Sequence, residues 1–266
     1  MATKKTAPLT NTAGKASTSV AVRKPSAGNI VSIQEELKQQ AAGIGSRIAP
    51  ATGNKIRVSQ SKEFVLPDGT KTRDPLELVI VDFVTTHSFY ETEFDKNNIV
   101  PPGCFAIGTD PKAMIPSKNS PNQQSDACQG CPMNEFQSAA NGKGKACSNN
   151  RLLAVLPPDA DEDTPIWLLS VSATALKAFD SYVQGVVRVF GMPPISVVTT
   201  VAFNDAVDYP QLTFSNPQPN AQLEVAYARQ AEARDLLMVE PDVSGYQAPS
   251  VRGKGVPAKK AAGARR

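Results

Sequence analysis

Histidine is nearly absent from this chain, which has one, His87, among 266 residues. A Ser–His or Cys–His nucleophilic pair would therefore have a single base to draw on. The phosphate-binding pattern GxxxxGK[ST] is also missing, because the glycines and lysines at 142–145 lack its spacing. These absences favour a protein that is not an enzyme.

Long hydrophobic runs are missing as well. No stretch approaches the roughly 18 apolar residues that a membrane helix requires. No apolar run follows the first lysines, as it would in a secretory signal. We therefore expect no membrane partner and a cytoplasmic location, a reducing compartment in which paired cysteines more often bind metal than form disulfides.

Acidic residues are absent from both ends of the sequence. Residues 1–29 hold five Lys or Arg and residues 251–266 hold six, so the two ends together carry a charge of +11. Because the net charge of the whole chain is +3, residues 30–250 must carry −8. The composition of the ends predicts disordered basic arms at 1–30 and 241–266. Such arms often bind nucleic acid, with a merely solubilising role as an equal alternative.

Short strands dominate the pattern between the arms. Apolar or alternating runs predict strands at 64–66, 76–84, 87–94, 151–156, 165–171, 195–203 and 211–214, with a hairpin turn at 67–69. Capping signals and helical spacing predict helices at 32–42, 172–190 and 224–238. The sequence thus predicts a mainly β chain with some α (α+β), built as a small β-barrel or sandwich with one inserted loop.

All four cysteines fall in a polar stretch, 104–150, that has no helical or strand periodicity. They are spaced as Cys104, a Cys128-x-x-Cys131 pair and Cys147. A CxxC turn directs two thiolates at one ion, and two distant cysteines can complete the tetrahedron of a structural zinc site. We therefore predict one structural Zn²⁺ on these four residues, which orders the insertion at 104–150.

Other interpretations of the cysteines stay open. An iron–sulfur cluster also uses four cysteines, and four unligated thiols are a further alternative. A redox CxxC would leave the two outer cysteines unexplained. His87 could replace one cysteine ligand, although a lone histidine in an aromatic strand is more often simply packed. A closed four-cysteine site leaves no position for a catalytic water.

Positive charge and aromatic side chains surround the cysteines. Over 112–151, five basic residues accompany two acids, a local +3 on an acidic body. Lysine and arginine neutralise phosphates, whereas exposed aromatic rings stack on bases regardless of sequence. The candidate nucleic-acid contacts are Lys112, Lys118, Lys143, Lys145, Arg151, Tyr90 and Phe94.

Three segments, PGCFA at 102–106, CQGCPMN at 128–134 and GKGKAC at 142–147, resemble a zinc-containing family of tailed-phage proteins. That family is regarded as single-stranded DNA-binding or as accessory to replication and recombination. The resemblance covers about 76–215 and excludes both arms. It implies an OB-like β-barrel with the zinc insertion inside it, which we place at 51–220. The local patterns add a short helix and linker at 31–50 before it and a C-terminal helix at 221–240 after it.

The same resemblance implies single-stranded DNA, and replication or recombination proteins, as partners in a bacterial host cytoplasm. One departure concerns the C-terminus, which is basic where many single-stranded DNA-binding proteins have an acidic recruiting tail. We therefore expect the arms to add DNA affinity rather than to recruit partners.

Three functions follow from these patterns. The first is non-catalytic, largely sequence-independent single-stranded DNA binding through phosphate contacts and base stacking. The second is a protein-interaction module whose zinc knuckle docks on a replication or transcription protein. The third, the least favoured, is a metal-dependent nuclease centred on the acidic turn at 159–163.

Overall fold

The structure, a computed structural model, describes residues 53–92, 95 and 98–248. All of these belong to the second of two units into which the chain divides, residues 50–266. The predicted helix at 32–42, the N-terminal arm and residues 249–266 of the C-terminal arm lie outside the described residues.

Nine strands form one sheet within the described ranges. They are β1 (Lys55–Val58), β2 (Phe64–Val65), β3 (Lys71–Thr72), β4 (Leu76–Phe89), β5 (Cys104–Gly108), β6 (Cys147–Leu156), β7 (Trp167–Val171), β8 (Val197–Phe203) and β9 (Leu212–Pro219). The spatial order is β3-β2-β1-β7-β6-β4-β8-β9, and β5 pairs with β4 off this path. Only β1 and β7 pair in parallel among the pairs of this sheet. The chain is α+β, dominated by a curled, half-barrel sheet with few helices.

The longest strand, β4, corrects the prediction of two strands at 76–84 and 87–94. It runs unbroken through Thr85 and Thr86, because β-branched residues favour the strand and both edges remain paired. One edge pairs with β6 from Val79 to Phe89. The other edge pairs first with β8 and then, from Thr85 onward, with β5. This strand therefore joins the centre of the sheet to the first and last cysteines.

The sheet is buried on both faces, which explains the nearly continuous apolar run of β4. Leu78 and Ile80 pack toward a cluster that contains Phe179 of the long helix. Val79 and Val81 pack toward the opposite cluster, under the two C-terminal helices. The predicted hairpin at 67–69 is confirmed, with the Leu66 N–H donating to the Thr70 carbonyl at 2.8 Å.

The helices are α1 (Leu176–Phe190), α2 (Leu223–Ala228) and α3 (Gln230–Leu237). The helix predicted at 172–190 begins later, at Leu176, because the Ser172 hydroxyl hydrogen-bonds to Thr174 instead of capping a helix and a 3-10 turn precedes α1. The single helix predicted at 224–238 is two helices that meet at Arg229. No helix in the described part of the chain combines the length and apolarity needed to cross a membrane.

After α3 the chain returns to the region of the cysteines. The Glu240 carboxylate accepts hydrogen bonds from Ser117 Oγ and Asn119 Nδ2, both at 2.6 Å. The Tyr246 hydroxyl donates to Glu91 Oε2 at 2.7 Å. Part of the predicted C-terminal arm, residues 241–248, therefore makes contacts with the body.

Candidate metal centre and its loop

Two of the four cysteines are placed by the sheet. Cys104 begins β5 and Cys147 begins β6, and both residues pair with Phe89 at the end of β4. Residues directly opposite on paired strands point to the same face, so the two thiols flank Phe89, with their Cα atoms about 10 Å apart across three strands. The predicted insertion at 104–150 is therefore shorter, and the segment between the strands is 109–146, here called the cysteine loop.

The other two cysteines lie in the cysteine loop and are buried. Gly130, with φ +75°, makes the turn between Cys128 and Cys131 in a conformation that suits glycine. The Cys128 N–H donates to the Met114 carbonyl at 3.0 Å. Asn134 Nδ2 donates to the Cys128 carbonyl at 2.9 Å, and the Asn134 N–H donates to the Cys131 carbonyl at 2.9 Å, so the CxxC turn is fixed at both ends.

All four thiols face one cavity, which His87, Met133 and Asn134 also line. Burial, together with the neighbouring Cys104 and Cys131, raises the pKa of Cys128 to about 11. Burial likewise raises the pKa of Cys147 to about 12, with the other three cysteines adding to the effect. With pKa values this high the two thiols are protonated at pH 7, and a cation in the cavity would be needed to stabilise them as thiolates.

The four cysteines nevertheless do not have the geometry of a complete metal site. Within the described residues, no group of three or more His, Cys, Asp or Glu side chains has the geometry of a metal site. The four thiols thus converge on one cavity without forming a tetrahedron. The predicted zinc stays a prediction at this point.

His87 lies in the wall of the same cavity and is buried. Burial lowers its pKa to about 4, helped by the charges of Lys145 and Arg151, so the ring is neutral at pH 7. Its Nδ1 has no hydrogen-bond partner, and neither does Oδ1 of Asn149, the residue directly opposite on β6. Such buried, unpaired atoms typically mark a place for an unseen water or ion. His87 as a replacement ligand stays a prediction.

The predicted lysines lie in the cysteine loop. Lys112, Lys118 and Lys143 are exposed. Lys145 is half-buried, and its Nζ donates to Asn134 Oδ1 at 3.1 Å. The loop therefore offers three exposed ammonium groups and one that is held in place.

Arg151 requires a correction. It is only 8% exposed, and its guanidinium pairs with Asp180 of α1 at 3.3 Å. The position on β6 turns this side chain inward, which a basic run in the sequence could not reveal. With Arg151 neutralised, four lysines against Asp126 and Glu135 leave a local charge of +2 over 112–151 instead of +3.

Of the two aromatic candidates, the structure describes one. Tyr90 follows β4 and is 49% exposed, whereas Phe94 lies outside the described residues. Sequence reasoning missed Phe136, which lies in the cysteine loop and is 78% exposed. Lys145 Nζ is 5.2 Å from the centroid of its ring. The one signal in the sequence was an aromatic residue alone in a polar stretch.

The acidic turn at 159–163 is held by its own hydrogen bonds and by contacts with Arg229. Asp161 Oδ1 accepts hydrogen bonds from Thr164 Oγ1 at 2.6 Å and from the Asp163 N–H at 3.2 Å. The Thr164 hydrogen bond lowers the pKa of Asp161. The Arg229 guanidinium donates to the Glu162 carbonyl at 2.8 Å. These contacts hold the turn against α3, and they give no support to a nuclease centre.

Comparisons of the chain with protein-family models, with curated proteins and with solved structures found no match. The fold and the site define an α+β protein whose curled sheet carries a polar loop, with four cysteines around one cavity.

Proposed function

We propose that Cys104, Cys128, Cys131 and Cys147 bind one structural Zn²⁺, and that the loop held in this way binds single-stranded DNA without catalysis. The observation that carries the proposal is the convergence of all four thiols on one cavity. Two thiols start from strand positions and two from a buried turn. Closing a tetrahedron with Zn–S bonds of about 2.3 Å requires the loop to adjust and the first residues of β5 and β6 to move closer together.

The zinc accounts for a loop that has little core of its own. Within 109–146 the buried apolar residues are Met114, Pro116, Cys128 and Cys131. A structural zinc supplies on the order of 10 kcal/mol, enough to order such a segment. The proposed OB-like character of the sheet fits a half-barrel with an inserted loop.

Charge supports the nucleic-acid assignment. The body at 30–250 carries −8, so a phosphate chain is repelled by most of it. The cysteine loop carries four lysines, of which Lys143 lies between Gly142 and Gly144. Both glycines have positive φ, which keeps the turn narrow and lets a backbone approach closely.

The expected recognition is independent of sequence. Ammonium groups contact phosphates, which are identical along the strand, and aromatic faces stack on any base. The resemblance to tailed-phage proteins, and with it a place in replication or recombination, adds to this proposal.

The test is fluorescence anisotropy of a labelled dT oligonucleotide with the full chain at several salt concentrations. We expect the double variant K143A/K145A to bind more weakly and to lower the log–log salt slope by about 1.4, because each lost phosphate contact removes about 0.7. The matched control is K71A/K177A, which removes the same charge from exposed positions outside the loop. Equal losses in both double variants would contradict the proposal.

A second candidate is the protein-interaction module. It is favoured by Ile115, an apolar residue of the cysteine loop that is 67% exposed. Zinc-loaded protein that fails to bind dT at low salt would favour this candidate over DNA binding.

A further inference from the structure

The cysteine loop presents an aromatic ring to solvent at Phe136. The residue is 78% exposed and follows the short turn Pro132–Asn134. Single exposed apolar residues are ordinary on protein surfaces, so exposure alone carries no argument. The position of Lys145 is more informative, because its Nζ lies 5.2 Å from the centroid of the Phe136 ring. A ring that is largely exposed keeps open surface beside this cation.

Lys145 is held by a network that reaches the candidate metal centre. Its Nζ donates to Asn134 Oδ1, and Asn149 Nδ2 donates to the same oxygen at 2.9 Å. Asn134 Nδ2 in turn donates to the carbonyl of Cys128. The ammonium is therefore tied to β6 and to the CxxC turn. An ammonium group has three protons, so the bond to Asn134 leaves two for a ligand.

The backbone fixes the ring and the ammonium in register. The Gln137 N–H donates to the Gly144 carbonyl at 2.6 Å. The Ala146 N–H donates to Ser138 Oγ at 2.8 Å. The two segments that carry Phe136 and Lys145 are thus bonded side by side. Groups held in place before binding lose less conformational entropy when the ligand arrives.

We propose that Phe136 is the base-stacking residue of the loop and that Lys145 contacts the phosphate beside the stacked base. The proposal rests on the proposed function and deepens it, because it names the feature that selects single strands. Lysines alone attract single and double strands alike. A base in a duplex already has both faces covered, whereas an unpaired base can leave its neighbours and stack on a ring.

The experiment compares three probes of equal length and label. The first is a dT oligonucleotide, the second is an abasic strand with the same phosphates, and the third is a duplex. We expect F136A to weaken dT binding about ten-fold, the size typical of one lost stacking contact, and to leave abasic binding unchanged. F136W should keep dT affinity. I115A, which removes another exposed apolar side chain from the same loop, should bind as the unaltered chain does.

A spectroscopic readout separates stacking from a structural effect. The chain has one tryptophan, Trp167, which is half-buried in β7 and supplies a measurable background. In F136W, dT should quench the added fluorescence and the abasic strand should not. Metal content is measured on every variant and should match that of the unaltered chain.

Two results would overturn the stacking role. Equal losses of dT and abasic binding in F136A would mean that Phe136 acts through the shape of the loop. Unchanged dT binding in F136A, while the unaltered chain binds, would mean that no base stacks there. If the unaltered chain itself fails to bind dT, the proposed function falls, and the stacking role falls with it.

Discussion

The curled sheet and the cysteine loop are organised by different forces. The sheet is sandwiched between helices, and side chains such as Leu153 and Phe179 are completely buried. The cysteine loop shares in one small cluster, Ala106, Met114 and Cys128. The sheet therefore has an extensive hydrophobic core, whereas the loop has little, and this difference is why we proposed a metal cross-link in the loop. The two regions should therefore respond to different perturbations.

Metal removal should have the largest effect, and it should fall on the loop. With a chelator, we expect trypsin to cut at the loop lysines, Lys112, Lys118, Lys143 and Lys145, while the far-ultraviolet circular dichroism of the sheet persists. The reason is the loss of about 10 kcal/mol of metal binding from a segment with little core. Mass spectrometry of the fragments makes the measurement.

The control is the same digestion after zinc is added back, which should restore protection at all four sites. A loop that resists trypsin without metal would show that packing alone holds it. A sheet that unfolds together with the loop would show that the two regions are one cooperative unit.

Core truncation should produce the opposite pattern. Leu153→Ala should lower the free energy of unfolding by about 2–5 kcal/mol, because it leaves a cavity in the sheet. Urea denaturation measures this change. Zinc content of the folded protein should stay the same. Ile115→Ala, at an exposed loop position, should change the free energy by no more than about 0.5 kcal/mol. Similar losses from both variants would erase the distinction between the two regions.

Arg151 provides an intermediate test, because it is basic yet belongs to the sheet. Arg151→Met should lower the free energy of unfolding by about 1 kcal/mol, since its partner Asp180 is 44% exposed and keeps much of its hydration. Its affinity for dT should match that of the unaltered chain. K143A, at an exposed lysine of the loop, should show the reverse, weaker binding with unchanged stability. Weaker dT binding by Arg151→Met would return this residue to the set of DNA contacts.

The smallest effect is expected at the C-terminal segment. Tyr246→Phe removes one part-buried hydrogen bond to Glu91, so global stability should fall by about 0.5 kcal/mol, the low end for a single hydrogen bond. Amide hydrogen exchange should accelerate locally at 243–248. Exchange that stays slow would mean that the Glu240 contacts hold the segment by themselves.

The predictable features were those encoded in local pattern. The apolar run at 76–84 predicted a buried strand, because two-sided burial leaves no alternation. The hairpin turn at 67–69 was equally visible. The cysteine spacing predicted that four thiols would meet, and they line one cavity. The length of β4 was missed, because its continuation depends on pairing with β5 and β6 rather than on its own sequence.

The features that escaped prediction depend on distant partners. Arg151 is neutralised by Asp180, which belongs to a helix 29 residues further along. Nothing in the basic run around 142–151 indicates that one of its charges is turned inward. Phe136 is exposed in a loop that has few buried apolar residues to pack against. Exposure of this kind cannot be inferred from the neighbouring residues in the sequence.

The central strand is also synthesised long before two of its three neighbours, β6 and β8. Val79 pairs with Leu156 on one edge and with Val198 on the other, and Val198 lies 119 residues after Val79. At the usual rate of translation, this strand waits on the order of ten seconds for its last neighbour. During that interval the strand has an open edge at 76–79, within its apolar part, and this condition promotes pairing with another nascent copy. The yield of folded protein should accordingly depend on the rate of translation and on the number of ribosomes that translate the same message at once.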